Sequence, residues 1–473
     1  MANKINMDLP QSGELKRCNI GGVNDRISDL PDDILSHIQS RLTLKEAVAT
    51  SFLSRRWNKL GISYPILDFE GLKAFETEVF VQRVDKVLEL FKGSKVHKFR
   101  IVYPLSKPSR SHVNGWISFA FRMGVSELEL NFRFFASLGG PDSYYFPAHV
   151  FGKEEMMNPQ CASSLTASLN FEKRFDCLKD LCLRSVNLSG KVFEVILFRC
   201  SSLERFLLMY NYGLKIAKNT TPHLKLKSLE LYFCKDLEKL ELLAPNLVSL
   251  QYQGRERTLC IKNAQQLASL RLSVPDSPDP NESMLFPRGT RFLFNQFSSY
   301  LPMLESLVVS VRIFKDIRDF AELCVFSNLK QLVLDVSCSF FVRLGYQVVA
   351  SIMRAAPYLE LLEIVLPPIF LGYWQIQALE LASMSPHQNL KEVKVYGFRG
   401  DGNTMEFLNY LLQYAVSLKK IDVMARGATW LADDRKVHCY LDWKADVAEH
   451  CKNRMLQFRK TLHGNVQLLF HDK

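Results

Sequence analysis

The sequence lacks the long uncharged apolar run that a membrane-spanning helix needs. Such a helix takes about 20 consecutive apolar residues, whereas the richest stretch, LELLEIVLPPIFLGYW, is interrupted by Glu360, Glu363, Pro367 and Pro368. The first residues, MANKINMDLPQSGELKRC, are polar and carry no apolar run of signal-peptide length. These absences predict an intracellular protein of the cytoplasm or nucleus, with no membrane partner.

The cysteine spacing of disulfide frameworks and zinc modules is also missing. The 11 cysteines are scattered and none forms a CxxC pair, so we interpret them as buried thiols of a reducing compartment. The nearest approach to a metal-ligand set joins His438 and Cys439 with His450 and Cys451. This spacing does not match a structural zinc site, so no metal is predicted.

The usual catalytic motifs are absent as well. None of the patterns GxxxxGK[ST], GxGxxG, HExxH or GxSxG occurs, which removes the common phosphate-binding loops, zinc helices and nucleophile turns. The neighbouring acids Asp433 and Asp434 lie in a polar stretch typical of a solvated turn. The sequence therefore predicts a non-catalytic protein without a cofactor.

Positive charge is abundant but dispersed. The net charge is +11 and the pI is about 9.0, which raises nucleic acid, an acidic partner or an anionic ligand as possibilities. We interpret the charge as a solvated basic surface, because apolar or acidic residues interrupt even the densest clusters: Arg255 and Arg257, and Lys452, Arg454, Arg459 and Lys460.

Residues 25 to 60 carry the marks of three short helices. A capping box of Thr43 and Glu46 opens the second helix, and Ser54 is placed to cap a third that carries Trp57. A segment of this size lies near the limit at which a domain holds itself together unaided. We therefore expect a partner or the following region to bury the apolar stripe of the first helix: Leu30, Ile34, Leu35, Ile38 and Leu42.

Beyond Pro65, strands alternate with amphipathic helices. ILDF at 66 to 69, KFRIV at 98 to 102 and ELELNF at 127 to 132 are predicted strands, and apolar helix faces lie between them. The unit then repeats as apolar-xx-apolar-x-apolar, at intervals of mostly 20 to 31 residues. The ten matches are LKDLCL, LERFLL, LKSLEL, LVSLQY, LASLRL, LESLVV, LKQLVL, LELLEI, LKEVKV and LKKIDV, which begin at positions 178, 203, 226, 247, 267, 304, 329, 359, 390 and 418.

This repetition predicts an α/β fold, a leucine-rich repeat solenoid. Each short strand adds to a parallel sheet on the concave face, helices lie outside, and apolar positions stack between neighbours. Two longer intervals hold insertions that are candidate functional loops: PDSPDPNES, and RFFASLGGPDSYYFP before a degenerate repeat near Thr166, Leu169 and Phe171.

Residues that alternate with the inward leucines are predicted to face the open side of the sheet. Their mixed chemistry suits a folded protein better than DNA, which favours a consistent Lys/Arg stripe. The candidate target-binding residues are Arg184, Glu230, Tyr232, Gln251, Gln253, Arg271 and Asp335.

The segment DRISDLPDDILSHIQSRLTLKEAVATSFLSRRW, residues 25 to 57, resembles the F-box of plant F-box/LRR proteins, which usually reads DRIS-x-LPD-(D/E)-(I/L)L-x-x-I and then K-(D/E)-AV-x-TS-x-LS-(K/R)-RW. Residues 385 to 423 resemble the FBD segment that closes many such chains. The resemblance implies a flexible tail over 1–24, an F-box over 25–64, the repeat solenoid over 65–384 and an FBD with a C-terminal cap over 385–473.

The resemblance also implies a function. Such chains are substrate-recognition subunits of a Skp-cullin-F-box ubiquitin ligase: the F-box docks on a Skp-type adaptor, which links it to a cullin, and the repeats hold the target protein. Carried over to this sequence, the adaptor contacts are Leu30, Pro31, Ile34, Leu35, Ile38, Leu42, Val48, Leu53 and Trp57.

Two positions depart from the family pattern. Gln39 and Arg41 stand where relatives commonly carry Leu and Phe, and the hypothesis is that these polar residues weaken adaptor docking. The alternatives are a repeat scaffold or small-molecule sensor without ligase activity, and a basic nucleic-acid-binding protein.

Overall fold

The computed structural model describes most of the strands and helices and the turns between them. The described residues are 27, 30–42, 44–50, 53–60, 64–71, 76–132, 143–152, 175–219, 221, 223–255, 257–273, 296–312, 326–338, 353–366, 386–425, 427–430, 436–439, 445–462 and 466–471. The chain divides into two compact units, Met1–Pro245 and Asn246–Lys473. Outside the described residues lie the cap residue Thr43, the degenerate repeat near Thr166, the PDSPDPNES insertion and most of the RFFASLGGPDSYYFP insertion.

The first unit begins with the three predicted helices, α1 (Asp32–Ser40), α2 (Leu44–Thr50) and α3 (Arg55–Leu60). Asp32 and Asp33 occupy the first turn of α1, where carboxylates interact favourably with the free N–H groups of a helix start. The Trp57 N–H donates to Ser54 Oγ at 3.3 Å, which confirms the predicted cap of the third helix.

Strands and helices then alternate, as predicted. The sequence runs through β1 (Ile66–Glu70), α4 (Thr77–Leu90), β2 (Lys98–Val102), a 3₁₀ turn (Lys107–Ser109), α5 (Arg110–Arg122), β3 (Glu127–Asn131), β4 (Tyr144–Tyr145), a second 3₁₀ turn (Ala148–Phe151), β5 (Asp180–Arg184), β6 (Val186–Asn187), α6 (Gly190–Arg199), β7 (Arg205–Met209), β8 (Ile216–Asn219), β9 (Ser228–Tyr232) and β10 (Lys239–Leu243).

Six strands of this unit lie side by side and parallel, in the order β1, β2, β3, β5, β7 and β9. Two further parallel pairs, β4 with β6 and β8 with β10, lie apart from that row. Parallel strands in chain order, each one repeat from the next, are the arrangement that a leucine-rich repeat requires.

The second unit continues the same architecture. Its elements are β11 (Ser249–Gln253), β12 (Thr258–Lys262), β13 (Ser269–Ser273), a 3₁₀ turn (Leu301–Met303), β14 (Ser306–Arg312), β15 (Gln331–Cys338), β16 (Leu361–Val365), β17 (Glu392–Tyr396), α7 (Gly402–Tyr414), β18 (Lys420–Met424), β19 (Gly427–Trp430), β20 (Lys436–Cys439), α8 (Ala445–Arg459) and β21 (Gln467–His471).

Eight of these strands form a parallel row, from β11 and β13 through β14 to β18, with β21 last. β19 and β20 form an antiparallel hairpin. Each of the ten predicted apolar-xx-apolar-x-apolar motifs supplies one parallel strand across the two units, so the repeat prediction is confirmed.

The register explains the core. Residues at the second and fourth places of each strand align with one another, so that every apolar side chain meets its counterparts on both neighbours. In the first unit one such ladder, entirely buried, contains Leu67, Phe99, Leu128, Leu181, Phe206 and Leu229. The core therefore consists of stacked rows of Leu, Ile, Val and Phe.

A buried asparagine closes the turn after β7. Asn211 Oδ1 accepts from the Leu214 N–H at 2.7 Å and the Gly213 N–H at 3.0 Å, and Asn211 Nδ2 donates to the Val186 carbonyl at 3.3 Å. Cys234 holds the same place in the next repeat, with Sγ 3.8 Å from the Leu208 carbonyl. Asn or Cys at this place is part of the leucine-rich repeat pattern, because the side chain satisfies backbone groups that a turn leaves buried.

Candidate functional site

The nine predicted adaptor contacts divide into a buried and an accessible set. Leu35, Val48 and Trp57 are buried within the chain and form the core between the three helices. The other six side chains are half-buried or exposed: Leu30, Pro31, Ile34, Ile38, Leu42 and Leu53. Among these, Ile34 is 46% exposed and Leu53 is 66% exposed, so the accessible set offers apolar surface to a partner.

The structure places Gln39 inside the helical core. Its Nε2 donates to Thr50 Oγ1 at 3.0 Å, and the Thr50 hydroxyl donates to the Ala47 carbonyl at 2.7 Å. This chain of hydrogen bonds joins α1 to α2. Gln39 is therefore not part of the accessible surface, and the hypothesis that it weakens adaptor docking stays a prediction. Arg41, in contrast, is exposed.

Three contacts fix the helices to one another and to the first repeat. The Arg56 guanidinium pairs with the Asp32 carboxylate at 3.0 Å, which ties α3 to α1. Lys92 Nζ, just after α4, donates to the Lys59 carbonyl in α3. α2 packs against β1. The helices that carry the accessible apolar side chains are thus held in place by contacts with one another and with the first repeat.

The predicted target-binding residues all occupy strand positions that face away from the buried ladders. The first, third and fifth residues of each strand project opposite to the buried ladders, and we call this surface the ladder face. Arg184, Glu230 and Tyr232 occupy these positions in the first unit, although the Tyr232 side chain is buried. In the second unit, Gln251 aligns with Arg271, Gln253 aligns with Ser273, and Asp335 is the fifth residue of β15. The register therefore aligns two members of the predicted set, Gln251 and Arg271, as direct neighbours.

Ion pairs cross the ladder face of the first unit from strand to strand. The Arg100 guanidinium lies 2.8 Å from Asp68, 3.0 Å from Glu70 and 3.2 Å from Glu129, and Arg184 reaches Glu129 at 3.0 Å. Burial disfavours the charged form of Arg100, but hydrogen bonds and attraction to these carboxylates outweigh it, so the pKa of Arg100 is raised above its ordinary value.

The second unit repeats this pattern with lysine. Lys394 pairs with the buried Glu363 at 3.3 Å, and the Tyr396 hydroxyl donates to the same carboxylate at 3.4 Å. Burial, followed by the nearby Glu363 charge, raises the pKa of Tyr396. Lys420 reaches Glu392 at 2.9 Å. These ladder-face cations already have carboxylate partners, which differs from the free Lys/Arg stripe that nucleic acid binding favours.

Within the described ranges, no cluster of three or more His, Cys, Asp or Glu side chains could hold a metal ion. Six cysteines of those ranges are free thiols, and Cys200, Cys234 and Cys451 among them are buried. Burial raises the pKa of the Cys234 thiol to about 12 and that of Cys451 to about 11. In the same ranges, no helix is long and apolar enough to cross a membrane.

Two protein families match the chain. The family described as At1g61320/AtMIF1, LRR domain, matches residues 87–468, which is most of the chain. The F-box domain family matches residues 27–66, the range that contains α1, α2 and α3.

Several proteins of Arabidopsis thaliana are similar to this chain. F-box protein At3g59000 is 26% identical over 444 residues, which cover 85% of this chain and 87% of that protein. F-box/FBD/LRR-repeat protein At5g22660 is 25% identical over 425 residues, with 84% and 89% covered. F-box/LRR-repeat protein At3g59200 is 31% identical over a shorter match of 246 residues, which covers 48% of this chain and 45% of the relative.

Proposed function

Because the chain belongs to the plant F-box/LRR-repeat family, we propose that it is the substrate-recognition subunit of a Skp-cullin-F-box ubiquitin ligase. In this proposal the accessible apolar side chains of the helices bind a Skp-type adaptor, which connects the chain to a cullin. The repeats bind the target protein, and ubiquitin transfer takes place on other subunits. The chain itself is non-catalytic and acts inside the cell, in the cytoplasm or nucleus.

One observation carries the proposal: Ile34 and Leu53 are exposed on top of a helical core that is already filled by Leu35 and Trp57. A fully buried core does not need these two side chains, yet each would contribute about 1.5–3 kcal/mol if a partner removed it completely from water. Large apolar side chains left exposed on a small segment in this way support a role in protein binding.

The proposed domain arrangement follows the family. We propose a tail over 1–24, the F-box over 25–64, the repeats over 65–384, and the FBD with a C-terminal cap over 385–473. β17, α7 and β18 provide the strand, helix and strand of the proposed FBD, and Asp401 caps α7 by accepting from the Thr404 N–H at 2.9 Å.

The test is co-purification of the full chain with a Skp-type adaptor. We expect the wild type to retain the adaptor and Ile34→Asp combined with Leu53→Asp to lose it, because charges replace apolar contacts while the buried core is left intact. The matched control is Ile216→Asp, which changes an equally exposed isoleucine in β8. Failure of the wild type to bind, or equal binding by the double variant, would contradict the proposal.

A further inference from the structure

Three neighbouring strands of the first unit are each followed by a residue in the left-handed backbone region. Ser185 follows β5 with φ +55°, Tyr210 follows β7 with φ +55°, and Phe233 follows β9 with φ +52°. In the second unit the residue after β17 is Gly397, with φ +79°. Glycine adopts this region freely, whereas bulky side chains rarely do. Tyr210 and Phe233 therefore occupy a place for which the backbone favours glycine.

The two rings lie against each other. Their centroids are 4.9 Å apart and their planes differ by 8°, a separation that matches the spacing of neighbouring strands. The Tyr210 N–H donates to the Tyr232 carbonyl at 2.9 Å, so the backbone under the rings is held in register. Both side chains are only half-buried, so the pair presents apolar surface to solvent at the carboxyl ends of the strands.

A tyrosine and a lysine adjoin this pair in sequence. Lys235 Nζ lies 5.6 Å from the centroid of the Tyr212 ring, within cation–π range. Lys235 is exposed, and no carboxylate of the described residues lies within ion-pair distance of it. This differs from Arg100 and Lys394 on the ladder face, whose charges are matched within the chain.

We propose that Tyr210, Tyr212, Phe233 and Lys235, here called the aromatic edge, bind an extended, acidic and proline-containing segment of the target protein. Flat aromatic surfaces accept the proline rings of extended segments, and tyrosine is enriched at the energetic centres of protein interfaces. Among the described residues Lys235 has no carboxylate partner, and an acidic segment would bring one. A single cation without a basic stripe does not suit nucleic acid. The inference rests on the proposed function, because it names the part of the repeats that holds the target.

The test uses the full chain and a fluorescein-labelled peptide of Glu-Pro-Pro repeats, with a Glu-Gly-Gly peptide of equal length as the control ligand. Fluorescence anisotropy should show binding of the first peptide alone. The double variant Tyr210→Ser with Phe233→Ser should bind at least about tenfold more weakly, because serine is accommodated with the same φ at Ser185 but offers no ring. Tyr358→Ser, at an exposed tyrosine of the second unit, should bind as the wild type does.

A charge reversal checks the second part of the inference. Lys235→Glu should weaken binding of the Glu-Pro-Pro peptide and strengthen binding of a Lys-Pro-Pro peptide. Equal binding of the Glu-Pro-Pro and Glu-Gly-Gly peptides, no binding of either, or undiminished binding by the double-serine variant would overturn the proposal. So would a double-serine variant whose thermal midpoint falls by more than about 5 °C, which would mark the rings as structural.

The two proposals fail independently. A chain that retains the Skp-type adaptor but does not distinguish the peptides overturns the aromatic edge alone. A chain that binds the Glu-Pro-Pro peptide but not the adaptor overturns the ligase role alone.

Discussion

The helices at the start of the chain and the parallel strands of the repeats differ in how far they bury their apolar side chains. Leu67 and Phe99 at the first two strands are fully buried between neighbours of the same register, whereas Ile34 and Leu53 on the helical segment stay in contact with water. Stacked strands complete one another's core, because each repeat has the same shape as the next. The helices have no such counterpart, and their exposed apolar side chains remain available for a different protein.

The two regions also differ in how they bury polar groups. On the ladder face, charged side chains of neighbouring strands pair with one another, as Arg100 does with Asp68, Glu70 and Glu129. In the helical core one amide–hydroxyl bond, from Gln39 to Thr50, joins two helices. The comparison teaches that many ladder-face charges are paired within the repeats, while the helical segment depends on a small core that partner binding would stabilise further.

The largest expected effect is on the helical core. Trp57→Ala should lower the free energy of unfolding of this segment by about 3–5 kcal/mol, because it removes a fully buried indole and leaves a cavity. Urea unfolding followed by circular dichroism measures the loss. Leu53→Ala is the control from the same segment and should change stability by less than about 0.5 kcal/mol, since that side chain is exposed. Similar effects of the two substitutions would show that the helices have no distinct buried core.

A smaller effect is expected at the Arg100 cluster. Arg100→Met should destabilise the first unit by about 2 kcal/mol, because Asp68 and Glu70 lose this cation and Glu129 keeps only its pair with Arg184. Arg100 is 19% exposed, and partial solvent screening keeps the effect below that of a completely buried pair. Chemical denaturation measures it. Lys98→Met, which removes the more exposed pair with Glu127 at 3.1 Å, is the comparison and should cost clearly less.

Gln39→Leu is expected to change stability by less than about 1 kcal/mol in either direction. The substitution removes the bond to Thr50, but it also removes a buried amide oxygen that has no hydrogen-bond partner among the described residues. The Thr50 hydroxyl keeps its bond to Ala47. Adaptor affinity should be unchanged because the side chain is internal. A marked gain in adaptor affinity, measured by titration calorimetry, would contradict this expectation and support the hypothesis that Gln39 weakens docking.

The smallest effect concerns an exposed pair at the start of the strands. A hydrogen bond from Lys227 lowers the pKa of Glu204, so the pair stabilises the fold above the ordinary glutamate pKa, and this contribution disappears as the pH falls through the lowered value. Lys227→Met should therefore cost no more than about 0.5 kcal/mol at pH 7 and nothing measurable near pH 3. If the difference in unfolding free energy between the variant and the wild type grew as the pH fell, this account of the pair would be wrong.

Most of the strand positions could be predicted from the sequence. An apolar-xx-apolar-x-apolar unit places two side chains on one side of a strand, and its repetition supplies the neighbours that bury them. β8 could not be found in this way, because Ile216 is exposed while Ala217 and Asn219 are buried. That arrangement reverses the usual relation of hydrophobicity to burial, and no local pattern reveals it.

The candidate sites were predictable only in part. The apolar stripe of α1 was visible, but its division into Ile34 outside and Leu35 inside depends on where α2 and α3 pack. Gln39 lies four residues after Leu35 and so on the same face of the helix, yet its partner Thr50 is eleven residues away. The left-handed backbone at Tyr210 and Phe233 could not be predicted from the sequence, because glycine is the residue that usually indicates such a conformation.

The contacts between α2 and β1, and between Lys92 and Lys59, keep the helices close to the first repeat. Only five residues separate the end of α3 at Leu60 from the start of β1 at Ile66, a span of about 20 Å even when fully extended. In the proposed assembly, an adaptor bound by the helices would therefore lie at a short distance from the first repeat. This short link would then limit which lysines come close to the ligase when the proposed target is bound near the first repeat.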